Sequence, residues 1–85
     1  MSKVTIIVFR ASYCWPCRMM LNVFKEFEEK HPEVEVKKIN IEEDNKLAIE
    51  LWVASIPHII VFKDGVEVET IKWVVSLDKL EEFLD

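Results

Sequence analysis

The chain has two cysteines, Cys14 and Cys17, and only Trp15 and Pro16 lie between them. Thiols at this spacing can close a short disulfide without moving the rest of a fold. If the second cysteine sits on the first turn of a helix, the first lies at the helix N-terminus. Unpaired backbone N–H groups and the helix dipole stabilise a thiolate there. The thiolate is the nucleophile of thiol–disulfide exchange. Two other chemistries compete. A Cys pair is half of a tetrahedral zinc or iron–sulfur site, which a second copy or His58 could complete. The pair could also be an inert disulfide in an interaction module. Redox exchange leads because Thr5-Ile6-Ile7-Val8-Phe9 reads as a buried strand before the pair and an amphipathic helix follows it. Cys-x-x-Cys on a strand-to-helix turn is a redox arrangement and needs no metal or organic cofactor.

The elements that must hold the pair are legible along the chain. Residues 3–9 form a nearly continuous apolar run, as in a strand covered on both faces. Ala11-Ser12-Tyr13 is a loop. A helix is predicted from Trp15 to Lys30, with Pro16 in its first turn and Met20, Leu21, Phe24 and Phe27 at helical spacing. His31-Pro32 ends it. Val34 to Ile41 alternates as a second strand, and Glu42 to Trp52 reads as a short helix with Leu47, Ala48 and Leu51 on one side. Ile56 to Lys63 and Val66 to Lys72 read as strands joined by an Asp64-Gly65 hairpin turn. Ser76 is a good N-cap for a last helix that buries Leu77, Leu80, Phe83 and Leu84.

Size and charge narrow the function classes. At 85 residues and 51% apolar composition the chain is one domain, residues 1–85, with a single core. The net charge of −5, with no Lys/Arg cluster, argues against a nucleic-acid partner. The apolar runs are too short for a membrane span. Met1-Ser2-Lys3 runs straight into strand pattern with no small-residue cleavage site, so no leader and a cytoplasmic home are expected. There a Cys pair is more often catalytic or metal-binding than a structural staple.

The order β-α-β-α-β-β-α, with Cys-x-x-Cys after the first strand, resembles the thioredoxin fold, an α/β fold with a four-stranded mixed sheet flanked by helices. Val8-Phe9-Arg10-Ala11-Ser12-Tyr13-Cys14-Trp15-Pro16-Cys17-Arg18-Met19 looks like that family's active-site segment. Lys38-Ile39-Asn40-Ile41-Glu42 resembles its second core strand, and Ser55-Ile56-Pro57-His58 leads into the segment that carries its cis-proline. The resemblance covers nearly the whole chain but lacks the family's extra N-terminal strand and helix. It implies a dithiol–disulfide oxidoreductase. Cys14 is then the exposed nucleophile and Cys17 the buried resolving thiol. Pro57 is cis and packs on the pair, and the Ile56 backbone is free to bond an extended client. The implied partners are disulfide-containing protein clients and a thioredoxin-reductase-like donor, acting on a monomer. A glutaredoxin-like protein served by glutathione is the alternative.

Several residues depart from the family pattern. Trp15-Pro16 stands where Gly-Pro is usual, which adds apolar surface beside the nucleophile. Val8 stands at the position of a buried acid, while the accompanying lysine is present as Lys38. Lys38 is therefore expected to sit partly desolvated and to favour a nearby thiolate. His58 replaces the threonine after the proline, where it could serve as a substitute proton acceptor or as a packed structural histidine. Trp52 and Trp73 stand where glycines are usual. The size of such aromatics predicts that they fill core and loop space. Otherwise Trp15, Trp73 and Trp52 form an apolar rim for client peptides.

Overall fold

The computed structural model describes residues 3–84; Met1-Ser2, read above for a leader, and Asp85 lie outside the described residues. The element order is β1 (Val4–Arg10), α1 (Trp15–Lys30), β2 (Glu35–Asn40), α2 (Lys46–Glu50), β3 (His58–Lys63), β4 (Val66–Ile71) and α3 (Leu77–Glu81), with a terminal turn of 3-10 helix at Glu82–Leu84. The strands form one mixed sheet in the order β2-β1-β3-β4. β1 and β2 run parallel through the α1 crossover, as a strand–helix–strand unit must. β1–β3 and β3–β4 are antiparallel.

The side-chain alternation of the central strands builds two cores. Val4, Ile6 and Val8 of β1 and Ile59 and Val61 of β3 face α1 and α3, where Met20, Phe24, Phe27 and Leu80 are fully buried against them. Phe9 and Ile60 face the other way and pack on Ala48 of α2, with Leu47 and Leu51 at the margin. Because β1 and β3 are covered on both sides, they carry the apolar runs seen in the sequence. The two-residue Asp64-Gly65 turn has positive φ at both positions (52° and 83°), the type I′ geometry that matches strand twist. The Asp64 carboxylate also accepts from the Lys3 amide at 2.9 Å. Ser76 caps α3 as expected, its hydroxyl accepting from the Lys79 amide at 3.2 Å.

The second helix is a correction. It was expected from Glu42 to Trp52 and spans only Lys46–Glu50. Polar side chains compete for its first turn. The Asn40 side chain accepts from the Glu42 amide at 2.9 Å, and the Asp44 carboxylate accepts from the Lys46 amide at 3.2 Å. Local bonds of this kind offer the backbone turns in place of helix. At the other end the chain closes a Schellman motif. Trp52 N–H donates to the Ile49 carbonyl at 3.2 Å, and Val53 N–H to the Ala48 carbonyl at 2.9 Å. Trp52 thereby takes a left-handed φ of 57°, a position that favours glycine.

Candidate active site

α1 starts between the cysteines, with Cys14 as its N-cap and Cys17 in its first turn. Cys14 has extended backbone, and its Sγ accepts from the Cys17 amide at 3.2 Å. Pro16 occupies the first turn, where a missing N–H leaves nothing unpaired. No acidic side chain lies in that turn, so the positive end of the α1 dipole faces the Cys14 sulfur without local competition. Cys14 and Cys17 are joined as a disulfide. They pack with Ala11 in a small cluster that Ile41 and Ile56 border. An amide donated to sulfur at a helix start stabilises Cys14 as a thiolate once the bond is reduced.

Cys14 is 7% accessible and Cys17 1%. The expected exposed nucleophile is thus a correction in degree: Cys14 is the more open of two buried cysteines. Trp15 (68% accessible) and Tyr13 (73%) stand out beside it. The Ile56–Pro57 peptide is cis, and Pro57 is fully buried. Ile56 borders the cysteine cluster and lies ahead of the β3 ladder. An open cleft of about 130 Å³ is lined by Tyr13, Ile41, Ala48, Val53 and Ile56 among others.

Two residues assigned to the proton path lie elsewhere. Lys38 is half-exposed and bonded to the Glu28 carboxylate of α1 at 2.7 Å. It is engaged on the helix exterior and does not stand desolvated beside a thiol. His58 is 5% accessible, but it pairs with Phe9, whereas Val8, at the buried-acid position, pairs with Ile59. Strand alternation therefore places His58 on the α2 face, opposite Val8. Its ring meets Phe9 edge-on at 6.0 Å, and its Nδ1 is buried without a partner among the described residues. Burial, and then the Lys72 charge, push its pKa below the usual histidine value, with Glu67 partly opposing. It is a packed neutral histidine. The tryptophans are also a correction. Size predicted burial, yet Trp52 is 89% and Trp73 63% accessible, like Trp15.

Sequence reasoning missed two groups. Glu42, at the end of the second-strand segment, accepts from the Ser12 amide at 2.5 Å and the Ser12 hydroxyl at 2.6 Å. These bonds, with a smaller contribution from the Arg10 charge, hold its carboxyl below the usual range. Glu42 thus pins the loop that leads into Cys14, and Arg18 grips the same loop from α1 through the Ser12 carbonyl at 3.1 Å. The clue was positional: strand C-terminal ends cluster with site loops. The second is Met20, whose sulfur accepts from the Val75 amide at 3.3 Å. No sequence signal marks that contact.

A Cys-x-x-Cys pair at a helix N-terminus, with a cis-proline ahead of β3 of this sheet, defines a dithiol–disulfide oxidoreductase. The thioredoxin family model matches residues 1–85. The chain is 42% identical to a thioredoxin of Chlamydia pneumoniae over 83 residues, covering 98% of this chain and 78% of that one. It is 36% identical to a thioredoxin of Alicyclobacillus acidocaldarius over 80 residues, covering 93% and 76%. A solved structure described as thioredoxin-2, a component of malaria parasite protein secretion machinery, superposes with a TM-score of 0.91. It covers 98% of this chain and 82% of that one at 21% identity, a likeness of fold alone. The chain belongs to the thioredoxin family.

Proposed function

We propose that the protein reduces disulfides of protein clients, with Cys14 as the attacking and Cys17 as the resolving thiol. The carrying observation is the Cys17 amide donating to Cys14 Sγ at the N-terminus of α1. In this scheme the Cys14 thiolate attacks one client sulfur, the client S–S bond breaks, and a client thiolate leaves to take up a proton. The Cys17 thiol, on losing its proton, attacks Cys14 Sγ in the mixed disulfide. The second client thiol leaves, and the Cys14–Cys17 disulfide remains. The client gains two electrons and the pair loses two. A reductase of the thioredoxin-reductase type returns them.

Access favours this order, since Cys14 is the more open of the two residues. Tyr13, Trp15 and Trp73 would supply apolar contact, and the Ile56 backbone would bond the client chain. The cleft beside Tyr13 and Ile56 has room for an apolar client side chain. Water would take the Cys17 proton, because the Lys38 ammonium, although Lys38 is the strand partner of Val8, is engaged by Glu28, and His58 lies on the opposite face of the sheet from Val8. The proposed setting is the cytoplasm, where such pairs are kept reduced.

Insulin reduction tests the reading, with electrons supplied either by NADPH and a thioredoxin reductase or by glutathione. Turnover with the reductase, and a reduction potential near the thioredoxin figure of about −270 mV, support it. Turnover with glutathione alone moves the protein to the glutaredoxin-like class. A potential near or above about −180 mV marks an oxidant or isomerase-like exchanger and overturns the reductase assignment.

A further inference from the structure

We infer that Met20 is a positioning residue: through its sulfur it seats the 73–75 segment, which carries Trp73, against the redox helix. The inference rests on the client-reductase reading above and names the device that presents one side of that client surface. After β4 the chain runs from Lys72 to Ser76 without helix or strand. No ladder holds it there. Val74 and Val75 pack against the core between the sheet and α1, while Trp73 points outward and is 63% accessible. The Val75 amide finds no backbone carbonyl among the described residues; its acceptor is Met20 Sδ at 3.3 Å.

The spacing ties this bond to the cysteines. Cys17, Met20, Phe24 and Phe27 form the buried stripe of α1, so Met20 lies one turn below Cys17 on the same face. Among large apolar residues only methionine brings an acceptor into such a stripe. Leucine or isoleucine would fill the volume and remove the acceptor of the Val75 amide. The bond therefore joins the redox helix to the segment that presents Trp73, across a separation of 55 residues.

The test compares wild type with Met20→Leu, which keeps bulk and removes the acceptor. Two substrates are used: insulin, which needs the docking surface, and a small aromatic disulfide, which does not. The expected result is a KM for insulin raised about three- to tenfold, the range of one modest hydrogen bond. The kcat, the reduction potential and the rate with the small disulfide stay at wild-type values. Hydrogen exchange of the Val75 amide accelerates by a similar factor. Norleucine in place of methionine, in a Met19→Leu background, exchanges sulfur for methylene at constant length. It serves as the second probe if the leucine variant fails to fold. An unchanged insulin KM, or an equal loss on both substrates, overturns the inference. Loss of all exchange activity in the wild type defeats the client-reductase reading instead.

Discussion

Glycine should be better than alanine at position 52, the reverse of their order inside a helix. Trp52 is the C′ residue of a Schellman motif and holds φ at 57°. An L side chain in that conformation costs about 1–2 kcal/mol. Glycine avoids the clash and gives up about 0.5–1 kcal/mol of extra chain entropy. Both substitutions lose the same indole, which is 89% accessible and hides little surface, so its loss cancels between them. The remaining difference is about 0.5–1 kcal/mol in favour of Trp52→Gly. For a domain of this size that corresponds to a melting temperature about 2–8 °C above that of Trp52→Ala. Far-UV circular dichroism melts of both variants, in the oxidised state at one pH, measure it. Lys25, exposed within α1, is the control: there glycine should fall below alanine by about 1 kcal/mol. If Trp52→Gly melts at or below Trp52→Ala, the left-handed cap at the end of α2 is wrong.

Three further outcomes follow from the site. His58 stays neutral in the fold because its pKa is depressed, while the unfolded chain protonates near its ordinary value of about 6.5. Above that pH the residue adds no pH dependence; as pH falls below it, stability drops until the folded pKa is passed. His58→Leu, which also removes the unpartnered Nδ1, should flatten that part of the slope in urea titrations between pH 7 and 5. An unchanged slope would place the histidine in water. Lys38→Met should leave the Cys14 thiol titration where it is and lower stability by less than about 1 kcal/mol, because the lysine is engaged with Glu28 at a half-exposed site. A raised Cys14 pKa would restore Lys38 to the thiol environment. Glu42→Gln should speed exchange of the Ser12 amide at neutral pH, and wild type should approach the variant only below the carboxyl's lowered pKa; identical exchange at neutral pH would remove Glu42 from the active-site loop.

What the sequence made legible was governed by neighbours along the chain. Pro16 in the first turn, Ser76 as a cap and Asp64-Gly65 as a hairpin act through backbone rules spanning a few residues, and each stands where it was read. The apolar run of β1 announced a strand covered on both faces. The misses had two sources, local polar competition with a helical pattern and contacts made only in the tertiary fold. Asn40 and Asp44 shorten α2 through side-chain bonds that compete with a good helical pattern. The Lys38 partner is Glu28, reached only because α1 crosses back over the sheet. The side of the sheet taken by His58 depends on the β1–β3 register, which pairs Val8 with Ile59. Bulk misled for the tryptophans: helix-end geometry leaves Trp52 in water, and an irregular segment leaves Trp73 there.

Trapping of the client intermediate tests the assignment of the two cysteines most directly. Reduced Cys17→Ser protein is mixed with a disulfide-containing client, quenched with acid and examined by non-reducing gel and peptide mass spectrometry. The expected product is a one-to-one adduct through Cys14 that dithiothreitol releases, with none formed by Cys14→Ser. An adduct through Cys17 in the Cys14→Ser protein, or none in the Cys17→Ser protein, would contradict the placement of the nucleophile at the N-cap of α1.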